Sequence, residues 1–340
     1  MPLPPQPRLP PENLPPEDRP RPHSLGLMPA ADESLQSYIF RLARRRRTET
    51  PYALGQRLGL TGFGPRAPRG LVERLALEAA VPVEALLPLW RGNPHDPFVV
   101  FWGHTLPGSA LDWRVEGGRK VCPKCLAERG RHLGVWDLCF VSACATHRTA
   151  LVDTCLACKD PITWKGNDVA WCGCKKGGDL RRIWAAPVTP EQADATACLQ
   201  GLLGDPRFPE EAAGVRALPP FRNMAPAHII EFLVRLGLDA VATRPRRYFF
   251  GFENMGDVEV PPHEALARSV AAVRDWPTGF YAELDHMRRR HVRDIRAATQ
   301  KVTEGIVRWA TPLPNGGGKE IMHAVTEYRR AARELAARNP

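Results

Sequence analysis

Four closely spaced pairs of soft metal ligands occupy the middle of the chain, between Cys122 and Cys174. The pairs come from the motifs CPKC, CATH, CLAC and CGC, and they are Cys122 with Cys125, Cys144 with His147, Cys155 with Cys158, and Cys172 with Cys174. Such spacing lets one turn of backbone present two thiolate or imidazole donors to a single ion. Eight donors in four pairs predict two closed tetrahedral sites and therefore two structural Zn²⁺ ions per chain.

The residues alone leave the combination of these pairs open. Sequential use would place the first two pairs on one ion and the last two on the other, whereas a cross-brace would combine alternate pairs. We favour the sequential combination because the stretches 126–143 and 159–171 can each close as a separate ribbon or finger. The competing interpretation of His147 is a surface residue beside Arg148. Cys139 and Cys198 have no partner at this spacing and are interpreted as ordinary thiols.

The predicted sites are not suited to catalysis. Four protein ligands per ion leave no position for a water molecule, which a catalytic zinc keeps. The sequence contains neither an HExxH motif nor a P-loop, and its carboxylates form no recognisable triad. We therefore predict a protein that is not an enzyme. The metal would instead support folding, because zinc binding by finger peptides is worth about 10–16 kcal/mol.

The amino-acid composition indicates which cell compartment and which class of partner to expect. The nine cysteines are tightly clustered and interleaved with a histidine, which favours metal binding in a reducing compartment over disulfides. No apolar run is long enough to cross a bilayer, and the N-terminus has no apolar signal core. The sequence thus predicts a cytoplasmic protein without a membrane partner. A net charge of +10 favours a polyanionic partner such as DNA.

Arginines are concentrated in predicted helices on both sides of the metal motifs. Asp32 and Ser34 can cap a helix that runs into four consecutive arginines, more cations than a helix C-terminus needs. A solvated basic helix end is the competing interpretation, but phosphate contact is favoured because few acidic residues lie nearby. The predicted nucleic-acid contacts are Arg44, Arg45, Arg46, Arg47 and Arg57 in the first half, and Arg288, Arg289, Arg290 and Arg293 in the second.

Hydrophobic periodicity predicts a mainly α protein with a small β, zinc-ribbon-like module. The expected division is a disordered proline-rich tail over 1–22, a helix-turn-helix-like bundle over 23–96, a double zinc-binding module over 97–184 and a helical domain over 185–340. Alternation of Trp136, Leu138 and Phe140 with other residues predicts a strand over 135–141. The five prolines of 204–226 predict an irregular segment.

Two blocks of the sequence resemble the TniQ family, which includes the TnsD-type target selectors of transposons. The first block, residues 22–46, reads PHSLGLMPAADESLQSYIFRLARRR and is similar to the opening pattern of that family. The second begins at Arg119 with RKVCPKCLAE and continues through WDL to CATHRTALVDTCLAC, similar to the family's cysteine and histidine signature. Together the two blocks and the remaining cysteines span roughly residues 22–174.

The resemblance implies a non-catalytic adaptor in transposition. Such an adaptor recognises target DNA, or a complex already bound to the target, and recruits an AAA+ transposition regulator. For some relatives the target-bound partner is a CRISPR surveillance complex, often engaged by a homodimer. The eight zinc ligands match the family motif residue by residue, whereas the short C-terminal region departs from longer members and argues against autonomous recognition of an attachment site. The alternative function is a zinc-finger transcription regulator that binds DNA without a transposition partner.

Overall fold

The computed structural model describes residues 26–47, 50–60, 64–111, 118–241, 260–289 and 295–338. Within these ranges the chain is mostly helical, and its only sheets are two two-stranded antiparallel ribbons. The predicted mainly α class is therefore confirmed. The predicted tail over 1–22 and two of the predicted contacts, Arg290 and Arg293, lie outside the described residues.

The first helix begins where its capping residue predicts. Helices α1 (Leu35–Arg46), α2 (Pro51–Arg57), α3 (Arg69–Ala79) and α4 (Val83–Leu86) follow one another. Ser34 Oγ accepts from the amide of Ser37 at 3.3 Å and so starts α1, while Thr50 caps α2. The apolar stripe of α1 is fully buried, so this helix packs into the core as its periodicity predicts.

The central part of the chain consists of short elements joined by tight turns. Strands β1 (Phe98–Phe101) and β2 (His104–Pro107) form the first ribbon, followed by α5 (Pro123–Arg129) and the second ribbon, β3 (Ala143–Cys144) with β4 (Thr149–Ala150). The turn between β1 and β2 has positive φ at Trp102 and Gly103. Little of this region is regular, so its shape depends on side-chain packing and on the cysteine groups described below.

The expectation of a strand over 135–141 is wrong. Gly134–Asp137 forms a 3₁₀ turn, and the amides of Leu138 and Val141 bond to carbonyls three residues earlier. The alternation is misleading because the intervening residues Val135, Cys139 and Val141 are buried as well. A segment that is enclosed on every side can turn locally and still show the apolar alternation of a strand.

Helices dominate the remainder of the described chain. They are α6 (Pro190–Leu202), α7 (Pro209–Arg216), α8 (Pro226–Val241), α9 (Pro262–Arg274), α10 (Thr278–Arg289), α11 (Ile295–Ala310) and α12 (Lys319–Arg338). A capping box between Thr189 and Gln192 starts α6. Phe232 of α8 centres an aromatic core with Phe221, Phe280 and Trp309.

The expectation that 204–226 is irregular is wrong for part of that segment. Helix α7 begins at Pro209, and Pro219–Phe221 forms a further 3₁₀ turn. A proline at the first helical position costs no hydrogen bond and supplies a helical φ. Pro209 and Pro219 therefore start helices. A count of prolines alone does not show whether a proline begins a helix or ends one.

Polar side chains attach the start of α1 to the segment that follows α5. The carboxylate of Asp32 accepts from Arg129 at 2.8 Å and from Arg131 at 3.0 Å. The amide of His132 donates to Ser37 Oγ at 3.0 Å, and the His132 ring lies edge-on to Trp136 at a centroid distance of 5.0 Å. These contacts fix α1 against the central region.

His132→Gln should reduce the loss of stability on acidification. Burial lowers the pKa of His132 well below its usual value of 6.5, so the folded chain holds a neutral ring. Below pH 6.5 the unfolded chain binds a proton that the folded chain does not. The free energy of unfolding should therefore fall, from this residue alone, by up to about 1.4 kcal/mol per pH unit.

Urea unfolding of the metal-loaded protein at pH 7.5, 6.5 and 5.5 measures this difference. The control is His95→Gln, since His95 is exposed. The His132 variant should be less stable at pH 7.5 yet lose less stability between pH 6.5 and 5.5 than the control. Parallel losses in both variants would show that His132 does not contribute to the acid sensitivity.

Candidate metal centre and arginine surfaces

The first cysteine group is assembled by a helix start and a tight ribbon. Cys122 is the N-cap of α5, and Cys125 lies in its first turn behind Pro123. Cys144 and His147 lie on β3 and on the turn between β3 and β4. The CPKC and CATH motifs are thus held by local structure, as their spacing predicts.

The donor atoms of this group have the separations of a tetrahedral site. His147 Nδ1 is 3.4 Å from Cys122 Sγ, 3.2 Å from Cys125 Sγ and 3.6 Å from Cys144 Sγ. Cys125 Sγ and Cys144 Sγ are 3.6 Å apart. Zinc–sulfur bonds of about 2.3 Å in a tetrahedron give sulfur–sulfur edges of about 3.8 Å. The four donors therefore fit a single Zn²⁺ ion.

The histidine of this site is oriented by a carboxylate. His147 Nε2 lies 2.8 Å from Glu128 Oε1, so its Nδ1 faces the three sulfurs. A carboxylate on the far nitrogen fixes the tautomer of a ligating imidazole and raises its basicity. Glu128 is a partner of this candidate ligand that the sequence analysis missed. It lies outside the ligand motif, and only its place in α5 brings it to His147.

The second cysteine group is built almost entirely from turns. Cys155, Cys158, Cys172 and Cys174 bring their sulfurs within 4.8 Å of one another. The amide of Cys172 donates to the carbonyl of Gly178 at 2.9 Å, which folds the loop back over the group. A Cβ at Gly178 would lie 2.7 Å from Cys155 Sγ, so a side chain there would push into the sulfur cluster. Four thiolates with this spacing also fit Zn²⁺.

The described residues therefore gather the eight donors in two groups that combine the pairs sequentially, not as a cross-brace. Each group could hold one metal ion. Burial raises the pKa of the Cys172 thiol to about 12, so an ion has to displace a proton on binding. Cys139 and Cys198 are buried away from both groups, as expected of ordinary thiols.

The arginines at the end of α1 occupy different environments. The Arg46 side chain is only 3% exposed and pairs with the buried carboxylate of Glu78. Arg57 reaches the same carboxylate at 3.0 Å, and Arg44 pairs with Asp168. Arg45 and Arg47 are exposed. Three of the five predicted nucleic-acid contacts here thus pair with carboxylates, but only Arg46 is buried, since the Arg44 and Arg57 side chains remain 73% and 46% exposed.

The predicted contacts in the second half of the chain are similarly divided. Arg288 lies 3.0 Å from Asp285, whose carboxylate also accepts from the Tyr328 hydroxyl at 2.7 Å. Arg289, the last residue of α10, is exposed. Sequence reasoning could not find Glu78 and Asp168 because they are far away in the chain, whereas Asp285 lies only three residues before Arg288.

The geometry combines an arginine-bearing helical region with a Cys₃His site, in the order of the two sequence blocks described above. Residues 24–151 match the family model described as TniQ. This part of the chain is similar to a TniQ domain. The resemblance seen in the sequence is confirmed over this range. Such domains are associated with target-selection proteins of transposition.

The matched range contains the whole first metal site and stops before the second. It runs through α1 to β4 and includes Cys122 to His147, whereas Cys155 lies beyond its end. A comparison with curated proteins found no match. In the part of the chain that the structure describes, no helix is both long and apolar enough to cross a membrane.

Proposed function

We propose that this protein is a non-catalytic adaptor that selects targets for transposition. It recognises target DNA, or a complex already bound to the target, and recruits an AAA+ transposition regulator. The observation that carries the proposal is the TniQ domain over 24–151, which contains α1 and the first cysteine site. Because both metal groups use four protein donors each, bound ions would have a structural role and no position for a substrate.

The proposed cofactors are two structural Zn²⁺ ions, held by the eight donors already described. DNA is the proposed nucleic-acid partner, and the net charge of +10 and the exposed Arg45 and Arg47 support it. A CRISPR surveillance complex and a second copy of the chain are further proposed partners that come from the family resemblance. The division into a helical region, a double zinc module and a C-terminal helical domain is part of the same proposal.

Binding of an AAA+ partner tests the proposal directly. Purified, zinc-loaded protein should retain the purified AAA+ ATPase of the same transposon on a column in the presence of ATP and target DNA. An unrelated AAA+ ATPase should not be retained. If the chain bound DNA but not its AAA+ partner, the adaptor function would be excluded and a DNA-binding transcription regulator would be favoured.

Replacing Arg45 and Arg47 together by alanine should weaken DNA binding and reduce its salt dependence. Each lost phosphate contact lowers the slope of log affinity against log salt concentration by about 0.9, so two contacts give about 1.8. Fluorescence anisotropy with a duplex between 50 and 200 mM salt measures the slope. The control, Arg216→Ala with Arg222→Ala, removes two other exposed arginines and the same charge. If both double variants behaved alike, Arg45 and Arg47 would contribute only net charge.

A further inference from the structure

A groove runs between α11 and α12, far along the chain from the TniQ domain. Its volume is about 590 Å³. The lining residues from α11 include Arg296, Thr299, Glu304 and Arg308, and those from α12 are Arg329, Ala332 and Arg333. This groove was not among the surfaces predicted from the sequence, because its arginines are brought together only when the two helices pack.

The charge of the groove is strongly positive. Four arginines line it, and Glu304 is the only acidic lining residue among those the structure describes. Glu304 pairs with Arg308, an exposed pair one helical turn apart. Surface pairs of this kind contribute little to stability, and one carboxylate offsets only one of the four cations. A positive potential therefore remains along the groove.

Two of the arginines are positioned by hydrogen bonds to the protein. Arg329 Nε donates to Thr303 Oγ1 at 2.7 Å, and that buried hydroxyl in turn donates to the Thr299 carbonyl at 2.7 Å. Arg333 Nε donates to the Arg329 carbonyl at 3.3 Å. Because both bonds use Nε, the terminal nitrogens of each guanidinium can meet a ligand, and their fork geometry matches a phosphate.

The cations are spread along a line and not gathered at a point. Arg296 and Arg308 lie at opposite ends of α11, about 18 Å apart at 1.5 Å per residue, and Arg329 and Arg333 lie about 6 Å apart along α12. Such a row suits a linear polyanion better than one small anion. No aromatic side chain lines the groove among the described residues, so it offers no platform for stacking bases.

We propose that this groove binds the sugar–phosphate backbone of a nucleic acid without reading its sequence. It would hold nucleic acid at a second place, separate from Arg45 and Arg47, and its position in the chain lies outside the TniQ match. The proposal does not depend on recruitment of an AAA+ partner, so the column experiment above can fail while the groove still binds.

The test uses the full, zinc-loaded chain with Arg329→Ala and Arg333→Ala combined, compared with the Arg216→Ala, Arg222→Ala control. We expect the salt slope of duplex binding to fall by about 1.8 relative to the control, which is the value for two phosphate contacts. The affinity loss should be the same for two duplexes of unrelated sequence, because backbone contacts carry no sequence information. Equal melting temperatures of the two double variants show that both are folded.

Three results would overturn the proposal. The first is a salt slope of duplex binding equal to that of the control, and the second is a loss of affinity confined to one duplex sequence. The third is unchanged duplex binding together with lost binding of a poly-glutamate peptide, which would make the groove a site for acidic protein. A second variant, Arg329→Gln with Arg333→Gln, removes the two charges and keeps most of each side-chain stem. It must give the same slope change if the charge is responsible.

Discussion

Replacing Cys125 by serine should lower the zinc content of the purified protein from two ions per chain to one and unfold the region around α5. Cys125 Sγ lies 3.2 Å from His147 Nδ1 and 3.6 Å from Cys144 Sγ, so its loss opens the first tetrahedron. Finger-type zinc sites bind with about 10–16 kcal/mol, as much as the whole folding free energy of a typical domain. The helix start, the ribbon and the His132 contacts should all lose order together.

Elemental analysis gives the stoichiometry, and the loss of near-ultraviolet circular dichroism reports the packing around Trp136 and Trp164. Cys155→Ser should also lower the content to one ion, because it belongs to the other group. The matched control is Cys198→Ser, which removes a buried thiol from α6 and should leave both ions in place. A single ion in the unaltered protein, or two ions in the Cys125 variant, would contradict two independent sites.

Replacing Glu78 by alanine should lower the free energy of unfolding by about 3–5 kcal/mol. The side chain is 1% exposed and accepts from both Arg46 and Arg57. Burial opposes its charge, but the hydrogen bonds from Arg57 and Arg46 outweigh burial and hold the pKa of Glu78 below its usual value. Without the carboxylate, the guanidinium of Arg46 would remain buried without its anionic partner, which is the costly outcome for a buried pair.

Urea unfolding at pH 7 measures this cost, and Glu73→Ala is the control on the same helix. Glu73 is exposed and pairs with Arg69 at 3.4 Å, so its loss should cost less than about 1 kcal/mol. The lowered pKa means that the contribution of Glu78 is present above about pH 4.5 and is lost as the pH falls through its folded value. The two variants should therefore converge in stability at low pH. A Glu78 variant as stable as the control at pH 7 would show that Arg46 is hydrated and not buried.

The parts of the fold that could be predicted from sequence are those set within a few residues. The four ligand pairs form because each motif spans one turn, and α1 and α6 begin where Ser34 and Thr189 offer capping oxygens. The strand expected over 135–141 failed because enclosure on all sides gives the same apolar pattern as a sheet face. Helix α7 was missed because proline both ends and begins helices.

The parts that could not be predicted depend on residues distant in sequence. The four arginines at the end of α1 are equivalent in the sequence, yet Glu78 engages Arg46 and Asp168 engages Arg44. No local pattern specifies that Arg46 is buried while Arg44 stays exposed. The groove between α11 and α12 was missed for the same reason, since its four arginines lie on two helices and share no motif.

Helix α5 connects the first metal site to α1 in a way that bears on how the protein matures. Its N-terminal end carries Cys122 and Cys125, and its last residue, Arg129, binds Asp32 at the entrance to α1. The helix is about 10 Å long. The first metal site therefore lies at one end of α5, and the contact with the start of α1 lies at the other end. If the proposed Zn²⁺ ion fills this site, the supply of metal would determine whether α5 can hold the start of α1 in place. A chain made during zinc shortage would lose this attachment at the start of α1, while the pair of Arg46 with Glu78 would still hold the other end of the helix.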